Sequence, residues 1–217
     1  MTTRLITSTV LCFALLTSCV EQKNHQKNMD EKFSDSIAIS DNVDTATFGT
    51  GCFWCTEAIF QRLKGVEKVV SGYSGGTIPN PTYEEVCTGT TGYAEVCQIF
   101  YNPSEISFDE LLKVFWQTHD PTTLNRQGND VGPQYRSVVF FHNEEQKNKA
   151  EKYKTELNKS GAWANPVVTA IEPYSNFYSA ENYHQNYYNN NPRQMYCQYV
   201  IKPKLEKFEK VFKNELK

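Results

Sequence analysis

From Thr45 onward, apolar residues along the chain switch between two spacings. Thr45–Gly49 reads as a short strand, Phe53–Leu63 as a helix with Ala58, Ile59 and Leu63 on one face, and Val66–Tyr73 as a strand again. The Gly- and Pro-rich stretch Ser74–Glu85 reads as a long loop, and Val96–Tyr101 as the next strand. Ser107 followed by Glu110 forms a capping box for a helix that buries Phe108, Leu111, Leu112 and Phe115. A second long loop, Thr118–Gln134, leads into a strand over Ser137–His142. Asn143 then caps a charged helix ending near Gly161, and Val167–Glu172 is one further strand. After Pro173 the chain is aromatic, rich in Asn and irregular, until an amphipathic helix over Lys204–Phe212. The order β-α-β-β-α-β, with an added helix and strand, predicts an α+β two-layer sandwich with a ferredoxin-like core and an irregular C-terminal tail.

Ahead of this pattern, residues 1–18 carry one Arg and then an apolar run from Leu5 to Leu16. That run is shorter than the about 20 residues a spanning helix needs, and it fits a secretory signal peptide. Leu16-Thr17-Ser18-Cys19 resembles a bacterial lipobox, in which the cysteine becomes lipidated and N-terminal. Cys19 is therefore the expected lipid attachment site, and the expected location is the bacterial cell envelope, facing the periplasm or exterior. Val20 to about Asp44 is polar without an apolar period. The expected organisation is a lipoprotein signal peptide over 1–18, a flexible tether over 19–44 and one domain over 45–217.

Composition narrows the picture further. The chain has 217 residues, 39% of them hydrophobic and 22% charged, which fits one globular domain rather than a disordered or polytopic membrane protein. A net charge of −3 leaves no basic footprint for nucleic acid. Repeats are absent, and the one biased tract is the Asn- and Tyr-rich patch near residues 182–191. A monomer is the default expectation. Seven cysteines and thirteen each of Tyr and Phe direct attention to sulfur and aromatic chemistry.

Cys52 falls where a strand ends and a helix begins, after Gly49 and Gly51. A helix start carries roughly half a positive charge and unpaired N–H groups, and such positions lower a cysteine from about 8.5 to roughly 3.5–7.5. Cys52 is thus expected to be an acidic, nucleophilic thiol; a small buried hydrophobe is the plain alternative. Cys55 completes a Cys-x-x-Cys pair, which fits a thioredoxin-like dithiol, half of a zinc site, or a nucleophile with a neighbouring thiol one turn away; spacing leaves all three open. Cys87 and Cys97 are not paired in this way and the four His are scattered, so zinc has little support. Phe53 and Trp54 offer an apolar niche suited to a methyl or thioether group.

Several segments together carry a family resemblance: Gly51-Cys52-Phe53-Trp54, Gly72-Tyr73-Ser74-Gly75-Gly76, Asn80 to Cys87, Thr91-Gly92-Tyr93-Ala94-Glu95, Phe115 to Pro121, Arg126 to Asp130 and Gln134-Tyr135-Arg136-Ser137. In this order they resemble the A-type peptide-methionine sulfoxide reductases over about Phe48 to Pro203. The resemblance implies reduction of the S epimer of methionine sulfoxide, free or in proteins, with Cys52 as nucleophile and Glu95 as the acid that protonates the departing oxygen. It further implies that Glu95 is lifted by burial so that it arrives protonated. Tyr83 and Tyr135 would hold the sulfoxide oxygen, Phe53 and Trp54 would cradle the methyl, and Asp130 would position substrate or a water. Attack leaves a sulfenic acid on Cys52, which a second thiol condenses to a disulfide. Cys197, expected on a mobile stretch of the tail, matches the resolving cysteine of many members; Cys55 is the alternative.

No bound cofactor or metal is implied; thioredoxin or a thioredoxin-like protein is the expected reductant. The chain departs from the family pattern at Tyr93, where His is common, which leaves the tuning of Glu95 open. Cys97 and Cys87 read as structural. Two other functions compete: a general thiol-disulfide oxidoreductase using Cys52 and Cys55, and an aromatic-rich binding lipoprotein without turnover.

Overall fold

The structure, a computed structural model, describes residues 42–217. The expected signal peptide, Cys19 and all but the last three residues of the expected tether lie outside the described residues, and Asp44 already belongs to the first strand. Four strands form the centre: β1 (Asp44–Thr50), β2 (Val66–Ser74), β3 (Ala94–Tyr101) and, further along, β6 (Ser137–Phe141). They lie in the order β6-β1-β3-β2 and every pair is antiparallel, as the split β-α-β reading requires. Helix α4 (Glu144–Ser160) leads to β7 (Ala170–Pro173), which adds in parallel beside β6, and β8 (Tyr178–Ser179) closes the opposite edge against β2. The α+β sandwich expected from the pattern is the fold observed.

Helices α1 (Phe53–Phe60) and α3 (Phe108–Thr118) belong to the main core with alternate residues of the sheet, among them Phe48, Tyr73, Cys97 and Ile99. The other face carries a smaller cluster of Ala94, Val96, Val138 and Phe140. Helix α3 starts at the expected Ser107–Glu110 box, and Asn143 and Gly161 bound α4 as expected.

Several boundaries differ, each for a local reason. Helix α1 stops at Phe60 rather than Leu63, because Leu63 turns inward to a β-bridge with Leu216. Residues Ser74–Glu85 are not all loop: Thr82 and Glu85 form a second capping box that opens α2 (Tyr83–Cys87). Within Thr118–Gln134 the two short strands β4 (Arg126–Gln127) and β5 (Asp130–Val131) pair as a hairpin. The strand expected at Val167 begins only at Ala170, since the Val167 N–H bonds Asn158 Oδ1 at 2.9 Å and the Val168 N–H bonds the Pro121 carbonyl at 2.8 Å.

The tail is irregular, as expected, but it is pinned by buried polar groups. Gln185 bonds both the N–H and the carbonyl of Ser71, at 3.0 and 2.9 Å. Glu57 of α1 accepts from the backbone N–H groups of Asn186 and Tyr187, at 2.8 and 3.2 Å, the latter opening the short helix α5 (Tyr187–Asn190). A π-helical turn over Cys197–Ile201 then runs into α6 (Lys202–Val211), which buries Leu205 and Phe208.

Candidate active site

Gly51 makes the handover from β1 to α1 possible. Its φ is +97°, and a Cβ there would come within 2.5 Å of Gln127 Cβ, so only glycine fits. Cys52 is the N-cap of α1 and is 7% exposed. Its sulfur takes no capping hydrogen bond from the helix start. The N–H of Phe53 instead donates to Glu95 Oε2 at 3.1 Å. Burial therefore dominates at Cys52 and holds its thiol well above the ordinary range; the hydrogen bond to Cys55 and the Glu95 charge add to this, and Tyr196 opposes it. The expectation of an acidic Cys52 is thus corrected: burial outweighs the helix start, whose Phe53 N–H is taken by Glu95.

Cys55 is the acidic member of the pair. The hydrogen bond from Cys52 brings it down to about 7 against burial, with help from the Lys204 ammonium and the Tyr196 hydroxyl. Lys204 Nζ, in the first turn of α6, lies 3.8 Å from Cys55 Sγ. Among the described residues, no group of three or more His, Cys, Asp or Glu is placed to hold a metal ion.

Glu95 pairs with Tyr73 across β2 and β3, and alternation places it with Cys97 and Ile99 on the helix-facing side of the sheet. It is 1% exposed. Burial lifts its carboxyl to about 8, with Asp130 and Cys55 adding and the Phe53 N–H opposing, so the group holds its proton at neutral pH. Tyr93, where the family pattern departs, does not act on Glu95 by contact; its hydroxyl donates to the Ile78 carbonyl at 2.6 Å and its ring packs under Gly76.

Aromatic rings wall the sulfur. Phe53 packs against Tyr73 and His184, with centroids 5.9 and 5.0 Å away. Trp54 donates its indole N–H to His184 Nδ1 at 3.1 Å and stacks on Tyr187 at 3.7 Å. Tyr83 opens α2 and packs on His184 at 4.5 Å. Tyr135 ends the short turn Pro133–Tyr135; burial, together with Glu95 and Cys52, pushes its phenol up. Burial does the same at Tyr83, so both phenols stay neutral donors. Asp130 begins β5 and accepts from the Tyr196 hydroxyl at 2.7 Å.

The fold thus brings Cys52, Phe53, Trp54, Cys55, Tyr83, Glu95, Asp130 and Tyr135 into one cluster linked by hydrogen bonds, ring contacts and charge. Cys197 differs from expectation: it is fully buried in the π turn rather than carried on a mobile stretch, and Cys55 is the charge that acts on it. All five described cysteines are free thiols, and Cys87, read as structural, is exposed.

Sequence reasoning missed several site residues. Tyr196 reaches Cys52, Cys55 and Asp130. His184 orients Trp54, and Glu181 ties the Tyr83 N–H to the Tyr73 hydroxyl, both at 2.9 Å. The Asn/Tyr bias of 182–191 and the adjacency of Tyr196 to Cys197 were the available signals; neither has a spacing that points to a pocket.

Comparison with known proteins accounts for this arrangement. The family model for peptide methionine sulfoxide reductase matches residues 44–216. Peptide methionine sulfoxide reductase MsrA 1 of Rhodopirellula baltica is 55% identical over 174 residues, which cover 80% of this chain and 90% of the relative. MsrA of Saccharolobus solfataricus is 53% identical over 175 residues, 81% and 98% of the two chains. Among solved structures, reduced Mxr1 of Saccharomyces cerevisiae superposes with a TM-score of 0.67 at 38% identity, over 75% of this chain and 94% of that one. Methionine sulfoxide reductase A of Corynebacterium diphtheriae gives 0.64 at 35%, over 71% and 78%. The chain is therefore an oxidoreductase and belongs to the peptide methionine sulfoxide reductase family.

Proposed function

We propose that the chain reduces the S epimer of methionine sulfoxide, free or in proteins, through a sulfenic acid on Cys52. The observation that carries this reading is the fully buried Glu95 carboxyl, which accepts the Phe53 N–H next to Cys52 and which burial pushes toward its protonated form. The sulfoxide oxygen accepts hydrogen bonds from Tyr83 and Tyr135, and Phe53 and Trp54 hold the methyl. As the Cys52 sulfur bonds to the sulfoxide sulfur, the oxygen takes the Glu95 proton; the substrate sulfur–oxygen bond then breaks and the hydroxyl passes to the Cys52 sulfur as the transient sulfur–sulfur bond reopens. Methionine leaves, Cys52 becomes S–OH, and the proton Cys52 gives up returns to Glu95. A second thiol then displaces water to form a disulfide, which a thioredoxin-like dithiol reduces. Cys197 takes that part by family resemblance, and Cys55 by its hydrogen bond to Cys52. Asp130 fixes Tyr196 beside the pair.

The lipobox at Cys19, ahead of the matched residues 44–216, supports anchoring to a bacterial envelope membrane, with residues 19–44 as tether. Steady-state assays with the two separated sulfoxide epimers and a thioredoxin system test the central reading. Turnover of the S epimer that is lost in Cys52→Ser is expected. Reduction of insulin disulfides with neither epimer consumed would overturn it in favour of a general thiol-disulfide oxidoreductase.

A further inference from the structure

Lys204 stands at the sulfur pair and has no part in the mechanism above. It is half-buried at the start of α6, its ammonium is 3.8 Å from Cys55 Sγ, and its other side lines a cavity of about 850 Å³ between α3, α4 and α6. Cys55 itself is 2% exposed, one turn along α1 from Cys52 and hydrogen-bonded to it. A fixed cation beside one of two touching sulfurs decides which of them carries the negative charge. We propose that Lys204 is a positioning residue that keeps Cys55 a thiolate, so that Cys55 is the sulfur that first attacks the sulfenic acid on Cys52.

The proposal rests on the sulfoxide reading and deepens its second half. The Cys55 thiolate attacks Cys52 Sγ; the Cys55–Cys52 bond forms as the Cys52 sulfur–oxygen bond breaks. The departing hydroxide takes the Glu95 proton and leaves as water. Cys55 sulfur is oxidised, Cys52 sulfur is reduced, and the single negative charge passes from Cys55 to Glu95. The thioredoxin-like dithiol later supplies two electrons and the protons that restore both thiols. Cys52 and Tyr196 join Lys204 in favouring the thiolate, with Asp130 opposing. Cys55 in turn raises Glu95 and the buried thiols Cys97 and Cys197. Lys204 is the cation among the leading influences on this sulfur.

The test uses the full chain. A Cys197→Ser variant is given one equivalent of methionine S-sulfoxide without reductant, then quenched for peptide mass spectrometry and methionine analysis. One methionine per chain and a Cys52–Cys55 disulfide are expected. Adding Lys204→Met is expected to slow disulfide formation about tenfold near pH 7, trapping Cys52 as a dimedone adduct. The deficit narrows above pH 9, where Cys55 ionises unaided, and Lys204→Arg restores the rate. The unmodified chain, quenched early, is expected to show the Cys52–Cys55 disulfide before any disulfide to Cys197.

Methionine released with Cys52 left as sulfenic acid in Cys197→Ser would overturn the Cys55 assignment and leave the sulfoxide reading standing. An unchanged rate and pH profile in Lys204→Met would overturn the role of Lys204. Absence of methionine would overturn both readings together.

Discussion

Glu95 shows how one side chain can cost stability while serving the proposed reaction. Its carboxyl titrates near 8 in the fold, against the usual value of 4.5 in the unfolded chain. Below about pH 4.5 both states are neutral and the group makes no difference. As pH rises from there to 8, only the unfolded chain ionises, and the fold loses stability. Glu95→Gln keeps an acceptor for the Phe53 N–H and removes that loss. Thermal melts are expected to show the variant more stable by ~1–3 kcal/mol at pH 7 and equal to the parent near pH 4. The same variant is expected to lose at least about 100-fold in S-sulfoxide reduction. In the parent, activity should fall as pH rises through about 8, where the acid is lost; a rate that keeps climbing to pH 9.5 would remove Glu95 from the reaction.

At the same scale lies the reason the raised Cys52 thiol was not legible in the sequence. Its place at a helix start was legible, but which atom receives the Phe53 N–H was not, because Glu95 arrives 42 residues later on another strand. Gly51 offers a check on that corner. Gly51→Ala must fit a Cβ against Gln127 at a φ reserved for glycine, and is expected to cost at least ~2 kcal/mol in denaturant unfolding while displacing Cys52.

Among the elements, those with a marked apolar or capping pattern were legible in the sequence. Helix α3 has Ser107, Glu110 and a clean stripe; α4 has Asn143 and Gly161; the strands alternate or run apolar. Helix α2 carries the same capping box as α3, but five residues in a Gly- and Pro-rich stretch show no apolar period. Thr82→Ala is expected to fray it and cost ~1 kcal/mol, read by unfolding and by faster hydrogen exchange at Glu85. The tail between Pro173 and Cys197 has no periodicity, since Glu57, Gln185 and Glu181 hold it through single polar contacts. No pattern rule announces such contacts. Glu57, raised to about 7 chiefly by burial, accepts two backbone N–H groups there. Glu57→Leu leaves both unpaired and is expected to destabilise by ~2–4 kcal/mol, with exchange at Asn186 and Tyr187 rising first.

For the whole molecule, the split β-α-β order anticipated the strand order observed and the family motifs pointed to most of the candidate site, while the contacts of His184, Tyr187 and Tyr196 emerged only from the fold. The proposed lipid anchor belongs to this scale. Cys19→Ser is expected to move the protein from membrane to soluble fractions after cell breakage without altering sulfoxide reduction; an unchanged membrane share would refute the anchor.

Glu57 must wait 129 residues for the Asn186 amide that closes the wall over its helix. A ribosome therefore emits the Cys-x-x-Cys segment long before its cover has been translated. For that interval the two sulfurs stand bare to peroxide and to disulfide-forming catalysts, so the yield of working molecules should depend on how reducing the surroundings are at birth.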